Sequence, residues 1–344
     1  MISLTSSDLA IFLSEYKLVN QLCTVYIDMH NLTADVLVEA DNLKYLVHIR
    51  QLEHVYADEK DVASFSFYIP EAVKLMTDKS TIKFTCSSGN KLAQVNCTAP
   101  NFNFMVETVD LEISKFNTDY KFVEYKELKQ VSAAIKASKG LAQDLMSSVT
   151  VELTDNMWCV HTPQSCAFGE FNGLRGTIPV STFEKIYSSS LHVGMSQISP
   201  TSVMSKIRYK NRDIHILAPI QNEFSLSSSV PKLVERCSKK WCESKISEDM
   251  ISLFAGFLAN IKKKTVAVSF STDRIDLTYS DVKFNLSTID IKSTERPLTV
   301  QTPVKALPLI KGVITEEGCE VYTDMEVLCL MNKTRGLILS GPVY

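Results

Sequence analysis

The sequence predicts an α+β protein built from three tandem, similar domains, each with two helices packed on antiparallel sheet. Segments with helical periodicity begin near residues 7, 125 and 247. Strand-like runs of β-branched and aromatic residues follow each segment, and each run leads through a proline into a short helix and then into more strand. The 344 residues divide into thirds of about 115 residues, which is a normal domain size.

The longer helix of each domain is predicted from an apolar face. SDLAIFLSEYKLV, YKELKQVSAAIKASKG and SEDMISLFAGFLANIKKK all repeat apolar residues with the period of a helix. Ser7 and Ser247 suit a helix N-terminus, and Gly140 is expected to end the second helix. The residues predicted to be buried are Leu9, Phe12, Leu13, Tyr16 and Val19 in the first helix, Leu128, Val131 and Ile135 in the second, and Ile251, Phe254, Leu258 and Ile261 in the third.

The short helices are predicted from SFSFYIPEAVKLM, GTIPVSTFEKIY and LTVQTPVKALPLI, which contain Pro70, Pro179 and Pro303. Proline suits the first turn of a helix because an N–H there would have no intrahelical partner. A repeat of this length indicates tandem domains, since solenoid units have only about 20–50 residues. The expected domains are 1–115, 116–228 and 229–344, with crossings near 110–122 and 225–241.

Composition and charge exclude several classes of protein. The net charge is −3, so the chain as a whole lacks the electrostatic signature of a nucleic-acid-binding protein. No run approaches the roughly 18 apolar residues of a membrane helix, and the N-terminus lacks the positive region of a signal peptide. Nine cysteines, an odd number without an export signal, predict reduced thiols in a cytoplasm.

No catalytic, metal or cofactor site is predicted. Cys159 and His161 share one face of a strand, but this spacing does not hold a thiolate and an imidazole at hydrogen-bonding distance. A small buried apolar residue is the more ordinary role for Cys159. Cys237 and Cys242 lack the second pair that a zinc site needs, and with 11 glycines the chain has no glycine-rich nucleotide loop.

Three consecutive domains of this plan resemble the DNA polymerase sliding clamps of the bacterial β-clamp type. The resemblance covers the whole chain and rests on architecture and spacing, with TIPVSTFEKIY and RGLILSGPVY as the best local matches. It implies a non-catalytic homodimeric ring that encircles duplex DNA, reads no sequence and tethers a polymerase. It also implies that the polymerase and the clamp loader bind through short apolar peptides. A divergent, phage-encoded member, acting in a bacterial or infected-host cytoplasm, would account for the weak sequence similarity.

The lysines of the second helix form a stripe. Lys126, Lys129 and Lys136 fall within an arc of about 80°, opposite the predicted core residues. For one helix taken alone, a solvated face is the simpler explanation. The resemblance implies instead that such lysines line the bore and contact phosphates without reading bases. The other lysines assigned to the bore are Lys74, Lys139, Lys185, Lys262, Lys263, Lys264 and Lys305.

The resemblance also implies a pocket for partner peptides between the second and third domains. The C-terminal tail of β clamps is rich in methionine and ends in a basic and an aliphatic residue. The tail of this chain differs, since it ends in GPVY. The partner's peptide is therefore expected to differ. Alternatively, Ile338 is simply strand core and the tail is frayed. The residues assigned to the pocket are Thr162, Pro163, Ala167, Pro219, Phe224, Ile338, Ser340, Pro342, Val343 and Tyr344.

Other functions remain open from the sequence alone. A monomeric replication accessory factor or a β-rich assembly protein, such as a virion component, would share the strand content, and a solution mass of one chain rather than two would indicate it. A cysteine-dependent enzyme would lose its function on Cys159→Ser.

Overall fold

The structure is a computed structural model. The residues that it describes are 2–4, 16, 18–28, 30–31, 33–49, 53–55, 64–75, 81–85, 94–99, 102–141, 149–162, 165–209, 212–223, 230, 232, 240–244, 265–270, 274–279, 282–287, 292–293, 298–303, 319–323, 327–332 and 335–340. The chain divides into two compact units. Unit 1 is Met1–Glu124 with Lys185–Pro219, and unit 2 is Tyr125–Glu184 with Ile220–Tyr344.

The described elements are mostly antiparallel strands. In chain order the strands are β1 Ile2–Leu4, β2 Leu22–Asp28, β3 Thr33–Ala40, β4 Leu43–Ile49, β5 Glu53–Val55, β6 Ser64–Tyr68, β7 Thr81–Thr85, β8 Gln94–Ala99, β9 Phe102–Val109, β10 Thr150–Leu153, β11 Met157–Thr162, β12 Ser165–Glu170, β13 Gly176–Pro179, β14 His192–Ser199, β15 Ser202–Tyr209, β16 Arg212–Pro219, β17 Lys240–Ser244, β18 Thr265–Phe270, β19 Arg274–Tyr279, β20 Val282–Ser287, β21 Lys292–Ser293, β22 Leu298–Pro303, β23 Cys319–Thr323, β24 Val327–Met331 and β25 Arg335–Ser340. The helices are a 3-10 helix Glu71–Leu75, α1 Leu128–Leu141 and α2 Val180–Ile186.

One pattern of strand pairing recurs three times along the chain. The first repeat pairs β2, β3 and β4 in a meander, adds β6 beside β2, and pairs β7, β8 and β9 in a second meander. The second repeat does the same with β10 to β12, β13, and β14 to β16. The third does so with β18 to β20, β22, and β23 to β25. The predicted order of strands is therefore present three times.

The sheets run from one repeat into the next. β4 pairs with β16, with Val47 opposite Ile214, and β12 pairs with β25, with Ala167 opposite Leu337. These pairings join twelve strands into one sheet in unit 1 and nine strands into one sheet in unit 2, and four further strands form a smaller sheet. The compact units follow these shared sheets and divide the chain within the second repeat, so the boundaries 1–115, 116–228 and 229–344 stay predictions.

Three of the six predicted helices lie in the described residues, and the one after Pro70 is the 3-10 helix Glu71–Leu75. The predicted second helix is α1, which packs against β11 and buries Leu128, Val131 and Ile135. Gly140 lies inside it, one residue before its end at Leu141. Pro179 directly precedes α2. No described helix is long and apolar enough to cross a membrane. The predicted third helix and the short helix after Pro303 lie outside the described residues, as does most of the predicted first helix. At the end of that segment, Tyr16 and Val19 lie in turns and are half-buried, and Leu18 between them is the buried residue.

The crossing segment after β9 has no regular structure, and Ile113 anchors it to the sheet of unit 1. Ile113 is buried against Leu37 and Leu46, and its backbone N–H donates to Thr24 Oγ1 at 2.9 Å. Further along, Val123 pairs with Met195 of β14. The segment therefore contacts strands of the first repeat and of the second, on both sides of the β4–β16 pairing.

Candidate nucleic-acid interface

α1 separates its lysines from its buried residues, as predicted. Lys129 and Lys136 are exposed on the helix, and Lys126 is exposed in the turn that precedes it. Among the described residues, none of these three ammonium groups forms an ion pair. The face of α1 opposite Val131, together with the turn before it, therefore carries three positive charges that are accessible to a polyanion.

Three other lysines assigned to the bore have carboxylate partners, which the sequence did not indicate. Lys139 Nζ lies 2.6 Å from Glu184 Oε2. Lys185 Nζ lies 2.5 Å from Asp41 Oδ2, in the turn between β3 and β4, and Lys74 Nζ lies 3.5 Å from Glu71 Oε1. These pairs reduce the positive charge that the three lysines present. Lys262, Lys263, Lys264 and Lys305 lie outside the described residues.

Cys159 does not have the environment of a nucleophile. It is fully buried on β11, and a hydrogen bond with the Cys166 thiol, together with burial, raises its pKa. His161 is two residues away, and burial lowers its pKa. A protonated thiol beside a neutral imidazole fits a core position. The described cysteines Cys23, Cys159, Cys166 and Cys329 are all free and buried, and no group of three or more potential metal ligands occurs among the described residues.

Three residues of the predicted peptide pocket lie in one sheet of unit 2. Thr162 ends β11, Ala167 lies on β12, and Ile338 lies opposite Cys166 on β25. All three are buried, and Ile338 belongs to a core cluster that includes Val230 of the second crossing segment. Contact with a peptide would require the residues that cover them to move. This part of the pocket therefore stays a prediction.

The remaining residues assigned to the pocket lie at strand ends or outside the described residues. Pro219 is exposed at the end of β16, and Ser340 is the last residue of β25. Residues Pro163, Phe224, Pro342, Val343 and Tyr344 lie outside the described residues.

Charged side chains that the sequence analysis did not select lie on both sides of the β4–β16 pairing. His48 Nδ1 lies 2.7 Å from Asp35 Oδ1, and Lys115 Nζ lies 2.8 Å from Asp35 Oδ2. The hydrogen bond from His48 is the main reason that the pKa of Asp35 is lowered. On β16, Asp213 accepts from Lys206 at 2.8 Å and from Arg208 at 2.9 Å. Asp35 lies opposite His48, and Asp213 lies opposite Arg208, and such cross-strand pairs favour the observed register.

A buried imidazole, that of His215, lies on β16 two residues after Asp213. The His215 ring is 5.4 Å from the ring of His48 and 5.4 Å from that of Phe122, centroid to centroid. Burial, with smaller effects of His48 and Lys206, lowers the pKa of His215 to about 4. His215 is therefore neutral at neutral pH and belongs to the packing beneath the crossing segment.

The similarity of the chain to known proteins lies in its fold. No family model and no curated protein sequence matches it. The DNA polymerase III subunit beta from Pseudomonas aeruginosa is 10% identical, with a TM-score of 0.63 over 99% of both chains. The DNA polymerase sliding clamp from Caulobacter crescentus is 9% identical, with a TM-score of 0.64 over 98% of both. The Helicobacter pylori beta clamp, bound to a DNA ligase peptide, is 8% identical, with a TM-score of 0.66 over 98% of this chain and 99% of that one.

The fold is therefore that of a DNA polymerase sliding clamp of the bacterial β type, and the predicted α+β fold is confirmed. At this level of identity the likeness establishes the fold. What the chain does with that fold depends on its own surfaces.

Proposed function

We propose that the chain is a DNA sliding clamp, a polymerase processivity factor that encircles duplex DNA and performs no catalysis. The observation that carries the proposal is the end-to-end likeness to sliding clamps, which extends over 98% or more of this chain and of each clamp compared. An enclosing ring holds a polymerase near its template at high effective concentration without tight DNA binding. The bacterial or infected-host cytoplasm is the location that this function requires.

The pairings between repeats support a ring of two chains. Twice, the third strand of one repeat pairs with the last strand of the next repeat, as β4 with β16 and β12 with β25. β20 is the third strand of the third repeat, and it is an edge strand of its sheet. β9 is the last strand of the first repeat. Among the described residues, its segment Phe102–Glu107 pairs on one side only, with β8.

Continuing the same rule, β20 of one copy would pair with β9 of a second copy. A two-fold axis then generates two equivalent interfaces and closes the assembly. Both strands would gain the backbone hydrogen bonds that an open sheet edge lacks.

DNA contact would come from the exposed lysines of α1. Lys129 and Lys136 lie on its outward face and Lys126 in the turn before it, all without ion pairs among the described residues. Contacts of ammonium groups with phosphates are independent of sequence and allow a protein to move along DNA. Base readout, in contrast, would favour particular positions and would slow movement.

Partner proteins are proposed to insert short apolar peptides near the β12–β25 pairing, in the pocket predicted from the sequence. The Helicobacter pylori beta clamp binds a DNA ligase peptide, which supports peptide docking as a property that this fold accommodates. A polymerase and a clamp loader are the partners proposed for this chain.

The proposal is tested by solution mass and by DNA binding of the full-length chain. Light scattering at micromolar concentration should give the mass of two chains. Replacing Lys126, Lys129 and Lys136 together with glutamate should preserve that mass. The slope of log DNA affinity against log salt concentration should become shallower by about 0.9 for each phosphate that the variant no longer binds. A chain that stays monomeric, or a triple variant with unchanged DNA binding, would contradict the proposal.

A further inference from the structure

An ion pair connects the last turn of α1 with α2. Lys139 Nζ lies 2.6 Å from each carboxylate oxygen of Glu184. The two side chains remain 48% and 42% exposed, so DNA could reach either of them. Exposed pairs of this kind contribute little to the stability of a fold. The main physical effect of the pair is to cancel the charge of one lysine.

That lysine lies at the edge of the lysine face of α1. The helix period places Lys139 about 60° from Lys136 around the axis and about 4.5 Å beyond it along the axis, so the two residues are neighbours on the helix surface. Lys139 borders the buried side, about 20° from Leu128, but remains exposed. α1 and the turn before it therefore carry three lysines without an ion pair among the described residues, and α1 carries one lysine with a carboxylate at hydrogen-bonding distance.

We propose that Glu184 limits the grip of α1 on DNA by holding Lys139 in an ion pair, so that only three of the four lysines add net positive charge. A phosphate that approaches Lys139 also approaches the Glu184 carboxylate, and the pair as a whole releases no counterion. Weaker contact favours sliding over arrest. The inference rests on the proposed function and names Glu184 as the residue that tunes it.

Binding of a short, blunt duplex of mixed sequence to the full-length chain tests the inference. Fluorescence anisotropy over a series of salt concentrations gives the slope of log affinity against log salt. Glu184→Gln keeps the shape of the side chain and removes its charge, so the slope should steepen by about 0.9, the value of one further phosphate contact. Adding Lys139→Gln to Glu184→Gln should restore the original slope.

Glu170→Gln is the matched control. Glu170 is exposed at the end of β12 in the same unit and forms no ion pair among the described residues, so its loss changes the net charge equally without releasing a lysine. The slope of log affinity against log salt should steepen more for Glu184→Gln than for this control. Equal slopes for the two variants would overturn the inference. A slope lowered as much by Lys139→Gln alone as by Lys136→Gln would also overturn it, because Lys139 would then contact DNA despite Glu184.

Failure of the inference is distinguishable from failure of the proposed function. The duplex is short and open-ended, so its binding does not depend on a closed ring. A monomeric chain would overturn the ring and leave the charge comparison readable. A dimer on which Glu184→Gln behaves like Glu170→Gln would overturn only the role of Glu184.

Discussion

Two histidines in unit 1 illustrate what single residues contribute and what their sequence positions conceal. His215 is 4% exposed, and its Nδ1 has no hydrogen-bond partner among the described residues. His192 lies against Tyr187, with ring centroids 4.8 Å apart, and neither of its ring nitrogens has such a partner. Apolar periodicity predicted the buried residues of α1, but it carries no signal for a buried histidine, because the alternation of β16 would allow His215 on either face.

These histidines should make unit 1 sensitive to acid. Burial lowers the pKa of each to about 4, below the value of about 6.5 in an unfolded chain. As the pH falls from about 6.5 to 4, the unfolded state therefore binds more protons than the folded state. The stability that the neutral histidines give the fold is complete at neutral pH and is lost over that range of pH. For His215 the loss is about 2 kcal/mol at pH 5.

Urea unfolding at pH 7.5 and pH 5 measures this effect. The midpoint should fall at pH 5, and His215→Gln should reduce the difference between the two pH values. His30 is exposed, so His30→Gln serves as the control and should leave the difference unchanged. A midpoint independent of pH would show that His215 is accessible to protons in the folded chain.

At the scale of elements, the sequence indicated the strands and helices well but not how distant strands meet. Alternation and proline placement predicted the strands and the start of α2, because both depend on neighbouring residues. The element after Pro70 is a 3-10 helix, a distinction that side-chain periodicity over five residues does not make. The β4–β16 and β12–β25 pairings join residues far apart in sequence, and only the packed structure reveals them.

The β12–β25 pairing depends on a glycine. A Cβ atom added to Gly336 would lie 2.0 Å from the Phe168 ring, and the two residues are cross-strand partners. Gly336→Ala should therefore destabilise unit 2 by about 1–3 kcal/mol through overpacking. Phe168→Leu, combined with Gly336→Ala, should recover part of the loss because the smaller side chain vacates that space. Thermal unfolding checks both variants, and additive losses in the double variant would exclude this contact as the cause.

Hydrogen exchange tests the strand edges proposed to meet between copies. In the dimer, amides in Phe102–Glu107 of β9 and in β20 should exchange more slowly than in a dilute monomer, because new interstrand hydrogen bonds protect them. Amides in β4 and β16 provide an internal control, since their pairing lies within one chain. Protection in β9 and β20 that does not change with concentration would place the interface elsewhere.

At the scale of the whole molecule, repetition was the strongest signal in the sequence. Three helical segments and three strand-to-helix prolines indicated one plan used three times, and the strand pairing repeats in that order. The site was less predictable. The lysine face of α1 followed from helix geometry, whereas the carboxylates beside Lys139 and Lys185 come from segments that the sequence analysis did not connect with them.

The central claim is that the protein holds DNA by enclosing it. The most direct test mixes the full-length chain with a nicked circular plasmid at a concentration that favours dimers, and isolates the plasmid at a salt concentration that removes simple electrostatic contacts. The protein should remain on the circle and leave after one restriction enzyme linearises the DNA, because an enclosing ring slides off free ends. Equal loss from circular and linear DNA, or retention on both, would contradict enclosure.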